Sequence, residues 1–511
     1  MPRRVTRALI AATVIGVLAL TACSTPASPG TGSGDAGTPT KGGELVVGLD
    51  RELPSLDPLA GTISAAPALM LAEALYPPLM IAGEAGTVAP GLAESFTPDD
   101  TAKTWTLKIP ADLTFSDGSP LTTESIQAHV KRLSDPANGS SAAGQARQIA
   151  GMEIVDDTTM VFTLAIANAD FASLFQRSLG MIASTTAKDA FGFPLGAGPY
   201  VVDDFVAGDS VTVARNEKYW GKPANLDTIV FKMMPDADSR FQSLQSGDLG
   251  IMVSETANQF KQAREDDKLA VHAGAISVTS LLLNLTSPKF QDPEIRRALA
   301  QAIDRDALNA VVNLGEGKPV DSPYSLLGES APTVDYPKYD PKAAEKVLKD
   351  ADLSFTLTVS SLPSALQRAT ALKDMFAKVG VDVTIAPVDA ASFTGVMASK
   401  QFEAADFVTS IFSDASGAAL VFSTGAPYNL TGYSNKSVDA GLAAIASETD
   451  PAERAKSYED VSAILAEDLP ALWMTASNFG YISSADLVGV RDMTGLTFIS
   501  IDPAEIGWAG K

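Results

Sequence analysis

The chain has 511 residues, of which 46% are hydrophobic and 7% aromatic, so a folded body of two or more domains is expected. The formal net charge of −23 argues against nucleic acids and anionic lipid surfaces as partners. With two histidines and one cysteine, the chain excludes a multi-histidine metal site and an internal disulfide.

The N-terminus has the organisation of a bacterial export signal. Three arginines among the first seven residues precede an apolar run at residues 8–20. This run is too short to span a bilayer as a stable helix, which favours a cleaved signal peptide over residues 1–22. The sequence from Leu20 to Cys23 resembles a lipobox. That resemblance implies lipidation of Cys23 and anchoring at the outer face of the cytoplasmic membrane.

Residues 23–43 are predicted to form a flexible tether. From Ser24 onward the segment consists mainly of Ser, Thr, Pro, Gly and Ala, with almost no large apolar side chain. Such a composition cannot bury enough surface to offset the entropy lost when a chain becomes ordered. The folded body is therefore expected to begin at residue 44.

A strand, a turn and a capped helix are predicted in the first third of the body. Apolar and polar residues alternate over 105–109, which predicts a strand with one apolar face. The Asp-Gly pair at 117–118 favours a tight turn, and Thr122 or Thr123 is the candidate N-cap of the next helix. His129 lies at the edge of that helix's apolar stripe, where a packed or half-exposed histidine is the ordinary interpretation.

A second group of strands is predicted between residues 196 and 233. Gly196-Ala197-Gly198-Pro199-Tyr200 leads into alternating apolar residues, and a polar turn at 215–221 carries two aromatic residues. The third glycine of a dinucleotide-binding loop is missing. The two glycines are therefore expected to line a turn of the sheet.

The second half of the chain keeps an α/β alternation. The apolar run at 281–285 predicts a strand buried on both faces. Asp292 and Pro293 begin a helix whose apolar residues recur every three or four positions as far as Ile303. Helix, glycine and strand then repeat up to residue 385, as in a doubly wound domain.

These segments, in this order, resemble the bacterial extracellular solute-binding proteins of family 5, the substrate-binding lipoproteins of peptide, nickel and opine ABC transporters. The similarity rests on residues 93–126, 196–221 and 284–305 and covers nearly all of 44–511. It implies an α/β fold with two lobes, like type II periplasmic binding proteins, and an extra subdomain in lobe I. It implies neither catalytic activity nor a cofactor.

The resemblance also implies the limits of the lobes. They are 44–279 together with 487–511 for lobe I, 66–198 for its inserted subdomain, and 280–486 for lobe II. The chain crossings near Ser280 and Asp486 would act as hinges. Closure of such lobes through a few backbone dihedrals would enclose a solute in a form that an ABC permease recognises.

The acidic anchor usual in peptide-binding members of the family is missing. Those members carry an acidic residue in lobe II that pairs with the α-ammonium of the peptide. An alignment without gaps puts Ile411 at that position and Asp414 at the second acidic position. Either Asp414 replaces the anchor, or the ligand has no free amino terminus there, or Asp414 is a surface carboxylate without a ligand role. An uncharged Ile411 fits a ligand that lacks the cation.

Further candidate ligand-binding residues belong to segments that line the cleft in relatives. They are Thr62, Ile63 and Ser64 in lobe I and Phe412, Trp473, Asn478 and Phe479 near the last hinge. Since aromatic side chains fill cores more often than pockets, packing is the alternative role for the three aromatic residues.

The sequence thus predicts the solute-binding component of an ABC importer, which captures an oligopeptide or similar small solute and delivers it to the permease subunits. Two alternatives stay open: a binder of a metal chelate, an opine or a sugar, and an extracytoplasmic hydrolase on the same scaffold. The chain has no His-Glu-x-x-His helix, Gly-x-Ser-x-Gly elbow or Walker loop, so catalysis has no support. No cofactor and no metal are expected, and the protein is expected to be a monomer.

Overall fold

The computed structural model describes residues 38–63, 68–83, 87–326, 331–409, 415–490 and 501–510. The predicted signal peptide, Cys23 and most of the predicted tether lie outside these ranges. The end of the tether is described, and it is hydrogen-bonded to the folded body. Thr40 N–H donates to the carbonyl oxygen of Trp508 at 2.8 Å, and Gly42 N–H donates to that of Asn225 at 2.7 Å.

Most of the described strands belong to one large sheet. Strands β1 to β10 are Glu44–Leu49, Met80–Ala82, Val88–Pro90, Ser95–Pro98, Thr104–Lys108, Ile149–Ile154, Thr159–Leu164, Tyr200–Val206, Ser210–Arg215 and Thr228–Met233. Strands β11 to β19 are Ile251–Ser254, Leu269–Leu283, Lys318–Pro319, Ser354–Ser360, Asp382–Val388, Ala404–Thr409, Ala471–Ser484, Leu487–Val488 and Gly507–Trp508. The large sheet has eleven strands in the order β15-β14-β16-β12-β17-β11-β1-β10-β9-β8, with β13 paired to β17. A separate sheet has the order β4-β5-β7-β6, and β2 with β3 and β18 with β19 form two-stranded ribbons.

The helices lie between these strands. Helices α1 to α7 are Leu69–Leu75, Thr123–Ser134, Ala143–Ala146, Ala237–Ser246, Ala257–Arg264, Pro293–Ala302 and Arg305–Val312. Helices α8 to α13 are Pro341–Leu348, Pro363–Ala377, Ala390–Ala398, Ala415–Phe422, Lys436–Ser447 and Pro451–Asp468. Short 3₁₀ helices occupy Pro136–Asn138, Phe171–Gln176 and Pro288–Phe290.

The predicted helix starts are confirmed where the caps are visible. Thr122 is the N-cap of α2 and forms a capping box with Ser125. Asp292 caps α6, its Oδ1 accepting from Glu294 N–H at 2.8 Å, and Pro293 occupies the first turn. The predicted strand at 105–109 is β5, which pairs with β4 and β7.

Within the described ranges, buried side chains form four clusters. One lies around β1, β9, β10 and α1, and a small one lies beneath α4 and α5. A third fills the four-stranded sheet with aromatic rings whose centroids are 5.0 to 5.9 Å apart. We call these three clusters and their elements the first lobe, and the part built on the third cluster the subdomain. The fourth cluster, around β12, β14 to β17 and α6 to α13, defines the second lobe.

Two long antiparallel strands, β12 and β17, pass from the first lobe to the second. On β17, Phe479 and Tyr481 pack in the first lobe, whereas residues 471–474 pack in the second. Their pairing shifts register at 275–277 and again at 279–280 of β12. Bulges interrupt a ladder and increase local twist, so these are places where the strand pair can bend. The residue limits of the lobes given by the sequence stay predictions.

His129 is fully buried on α2. Its Nδ1 accepts from Ala183 N–H at 3.3 Å, so the ring proton sits on Nε2 and donates to the carbonyl oxygen of Ser178 at 2.9 Å. Burial lowers the pKa of His129 to about 4. The residue is therefore a neutral packed histidine, in line with the sequence interpretation.

Candidate functional site

Several parallel strands of the first lobe end at one edge of the large sheet. Strand β1 pairs in parallel with both β10 and β11. Asp50 directly follows β1, Met234 follows β10 and Glu255 follows β11, so these residues lie along the same edge. Ligands of open α/β sheets bind outside the carboxyl ends of the strands. This edge, beside the crossing strands, is the first part of the candidate site.

An ion pair and a buried guanidinium lie along this edge. Arg51 donates to both carboxylate oxygens of Asp50, at 2.8 and 3.2 Å. These bonds raise the pKa of Arg51, with a smaller contribution from Glu255. Arg240 is buried and donates from Nη1 to the carbonyl oxygen of Pro235 at 3.1 Å, and burial lowers its pKa. The edge therefore carries charges of both signs, of which Asp50 and Arg51 hold each other in place.

A second polar group lies buried on the α1 face of the sheet. It comprises Glu73 on α1, Arg177 after the second 3₁₀ helix and Tyr481 on β17. Glu73 is 5% exposed and Tyr481 is 1% exposed. Burial lowers the pKa of Arg177 to about 10, although the nearby charge of Glu73 opposes this shift. Burial raises the pKa of Tyr481, and Glu73 raises it further, so this phenol stays protonated.

Two buried hydroxyls of the first lobe make no hydrogen bond to any described residue. They are the phenol oxygen of Tyr481 and Oγ1 of Thr62. Buried polar atoms in native structures are nearly always hydrogen-bonded to protein, water or ligand. These two hydroxyls are thus available to a bound polar molecule.

One predicted lobe I residue, Ile63, shares a core cluster with Tyr481 of this group. Ile63 and Phe479 are buried in the same core cluster as Tyr481. Thr62 is half-buried beside Ile63. Ser64 lies outside the described residues. The resemblance therefore selected two segments that the fold does bring into one cluster, although their ligand roles stay predictions.

Asn478 lies on the opposite face of β17 from Phe479, because successive residues of a strand point to opposite faces. It lines a cavity of about 260 Å³ together with residues 273–275 of β12 and 316–318. Its Nδ2 donates to the carbonyl oxygen of Glu316. The structure therefore does not bring Asn478 and Phe479 to one pocket.

Trp473 lies in the core of the second lobe and is almost fully buried. Its ring packs edge-on against Phe422 at 5.7 Å, and its backbone N–H donates to the phenol oxygen of Tyr336 at 2.8 Å. These contacts describe a packing role, and its ligand role stays a prediction.

The predicted lobe II segment, with Ile411, Phe412 and Asp414, lies outside the described residues. The strand that leads into it, β16, carries a buried ion pair. Arg368 of α9 donates from Nε and Nη2 to the two carboxylate oxygens of Asp406, at 2.7 and 2.6 Å. This pair fixes β16 just before the segment.

Sequence reasoning missed Glu73, Arg177, Tyr481 and the Arg368–Asp406 pair. A faint signal existed for two of them, because Glu73 interrupts the apolar sequence of α1 and Asp406 that of β16. A charged residue within an apolar element is seldom buried without a partner. The partners lie far away in the sequence and could not be named from it.

Among the described residues, no helix has both the length and the hydropathy needed to cross a membrane. In the same part of the chain, no three His, Cys, Asp or Glu side chains are grouped so that they could hold a metal ion.

Comparison with known families decides the class of protein. The family model described as bacterial extracellular solute-binding proteins, family 5 Middle, matches residues 87–428. The chain belongs to this family. The prediction of family 5 is thus confirmed, and the family name itself denotes extracellular proteins that bind solutes.

A curated relative and two solved structures match nearly the whole length of the chain. The glutathione-binding protein GsiB of Escherichia coli K12 is 26% identical over 498 residues, covering 90% of this chain and 94% of that protein. The ABC transporter substrate-binding protein CtaP of Listeria monocytogenes is 21% identical with a TM-score of 0.79, covering 92% of this chain and 100% of that structure. The oligopeptide-binding protein AppA of Bacillus subtilis, in complex with a nonapeptide, is 22% identical with a TM-score of 0.71, covering 93% and 100%. The family 5 protein described here therefore has the two-lobed fold of periplasmic binding proteins, with a subdomain in its first lobe.

Proposed function

We propose that this chain is the solute-binding component of an ABC importer, lipid-anchored through Cys23, and that its ligand is an oligopeptide or a similar small solute. The observation that carries this proposal is the family 5 match over residues 87–428. Relatives named for binding glutathione and crystallised with a nonapeptide support a ligand with peptide groups. The protein would bind the solute without converting it and release it to the permease.

The binding would use the α1 face of the first lobe together with the strand edge beside it. A peptide contains amide donors and acceptors along its length, and such groups are complementary to hydroxyls without internal partners. The phenol of Tyr481 and the hydroxyl of Thr62 are the two candidates in the first lobe. The charges of Asp50, Arg51 and Glu255 would attract the polar ends of the solute at the strand edge. Closure of the lobes about β12 and β17 would then exclude water from these contacts.

Ligand-dependent stabilisation of the purified full chain tests this proposal. A ligand at a hundred times its dissociation constant adds about 2.7 kcal/mol of stability, which raises the melting temperature of a chain of this size by a few degrees. We expect such a shift from glutathione or from peptides of three to nine residues. Each peptide would be offered with a free and with an acetylated amino terminus, to wild type and to an Asp414→Asn variant.

The pattern of shifts identifies the anchor. If only peptides with a free amino terminus raise the melting temperature, and the Asp414→Asn variant loses this rise, the ammonium contact would be assigned to Asp414. Equal shifts with both forms would support a peptide bound without that contact, as Ile411 suggests. The peptide proposal fails if neither glutathione nor any peptide raises the melting temperature while an opine, a sugar or a nickel–histidine complex does.

A further inference from the structure

The two lobes touch directly at a place other than the crossing strands. The contact joins the subdomain, just before its second 3₁₀ helix, to the α12–α13 hairpin of the second lobe. Ala169 N–H donates to the carbonyl oxygen of Ala446 at 2.7 Å. Beside this bond, the guanidinium of Arg454 forms an ion pair with the carboxylate of Asp170, and each side chain is only 19% exposed. A backbone bond and a mostly buried ion pair therefore bridge the two lobes.

The subdomain holds the acidic side of the bridge in place. Asp170 N–H donates to Oδ1 of Asn168 at 2.9 Å. Asn168 in turn donates from its backbone N–H to the carbonyl oxygen of Ala102 at 3.0 Å and from Nδ2 to Oε1 of Gln148 at 3.0 Å. The carboxylate thus sits on a turn that the subdomain fixes by itself, so little entropy is lost when the bridge forms.

The second lobe holds the basic side in place. The Arg454 guanidinium lies over the Tyr458 ring, 5.7 Å from its centroid, and Nη2 donates to the Tyr458 phenol oxygen at 3.4 Å. Tyr458 itself packs edge-on against Tyr324 in the second-lobe core, with ring centroids 4.7 Å apart. Burial lowers the pKa of Arg454, but the Asp170 carboxylate outweighs that effect and the net shift is upward. The guanidinium therefore stays charged and aimed at the subdomain.

The position of the bridge allows it to restrict the movement of one lobe relative to the other. The subdomain belongs to the first lobe, and its buried cluster shares no residue with that of the second lobe. The lobes are joined along the chain through β12 and β17. The bridge is a second connection between the lobes, away from these strands. The lobes can therefore rotate apart about β12 and β17 only if the bridge breaks.

We propose that Asp170 and Arg454 form a latch that holds the two lobes together and favours the enclosed arrangement before solute arrives. Population of the binding-competent arrangement sets apparent affinity, so the latch would tune affinity without touching the solute. The effect on affinity rests on the proposed function, whereas the effect on lobe spacing does not.

Energy transfer between two dyes measures the lobe spacing without any ligand. With Cys23→Ser removing the single natural thiol, Glu124→Cys on α2 of the subdomain and Lys346→Cys on α8 of the second lobe give two exposed labelling positions. In this background, Asp170→Asn should lower the ratio of close to separated lobes about fivefold. The charge-swapped pair Asp170→Arg with Arg454→Asp should recover much of the transfer that either single change loses.

A matched control removes an ion pair inside the first lobe. Arg215 pairs with Asp227 at 2.7 Å, and both belong to the first lobe, so Asp227→Asn should leave transfer unchanged. Circular dichroism would establish that each variant is folded. Unchanged or increased transfer in folded Asp170→Asn would overturn the latch. Decreased transfer would support it even if glutathione and every peptide failed to bind, because that failure bears only on the proposed function.

Discussion

Replacing Asp406 by alanine should lower the free energy of unfolding by about 3 to 5 kcal/mol. Arg368 donates two parallel hydrogen bonds to this carboxylate, and the two side chains are 5% and 2% exposed. Removing the carboxylate would leave a guanidinium buried without its counter-charge. Such an unpaired buried charge costs far more stability than the intact ion pair contributes. Urea denaturation followed by circular dichroism measures the difference from wild type.

Two further variants separate this cause from general damage to β16. Glu403 pairs with Lys289 at 2.5 Å, but their side chains are 35% and 37% exposed, so Glu403→Gln should cost at most about 1 kcal/mol. The apolar pair Arg368→Met with Asp406→Leu should recover most of the lost stability, since no charge is then left buried. A loss below about 1 kcal/mol in Asp406→Ala would contradict the account of this pair.

An alanine at Gly196 or Gly198 should destabilise the first lobe by about 3 kcal/mol or more. A Cβ atom at Gly196 would lie 1.9 Å from the carbonyl oxygen of Leu75, and one at Gly198 would lie 2.1 Å from that of Ala74. Both oxygens belong to the backbone of α1, so no side-chain rotation relieves the clash. The end of α1 would have to move away from the turn that it packs on. Thermal unfolding of each variant measures the loss.

Gly144 provides the control for these substitutions. It lies within α3, and a Cβ atom there would meet nothing closer than 3.7 Å. Since alanine favours the helix over glycine by up to about 1 kcal/mol, Gly144→Ala should be neutral or slightly stabilising. If Gly196→Ala behaved like Gly144→Ala, the close packing of α1 on this turn would be contradicted.

Local features of the fold could be predicted because their causes are local. The capping box at Thr122, the Asp292-Pro293 start of α6 and the alternation in β5 each depend on residues within one element. The glycines at 196 and 198 were predicted to line a sheet turn. Their closeness to α1 could not be predicted, because it depends on how a helix more than a hundred residues earlier packs.

The candidate site could be predicted only in part. The resemblance selected Ile63 and Phe479, which share a core cluster, but it also paired Phe479 with Asn478 on the opposite face. Strand alternation and the register of β17 decide which face each side chain takes. Glu73, Arg177 and Tyr481 come from three distant segments, and only the tertiary fold of the first lobe, whose buried cluster contains both α1 and Tyr481 of β17, groups them.

Titration calorimetry of the full chain with the best-stabilising peptide, followed by mass spectrometry of the recovered peptide, tests the central claim most directly. A binding component of an importer should saturate at one peptide per chain and return that peptide unchanged after prolonged incubation. Heat that continues beyond one equivalent, with cleaved peptide in the recovered sample, would contradict the account and identify a hydrolase on this scaffold.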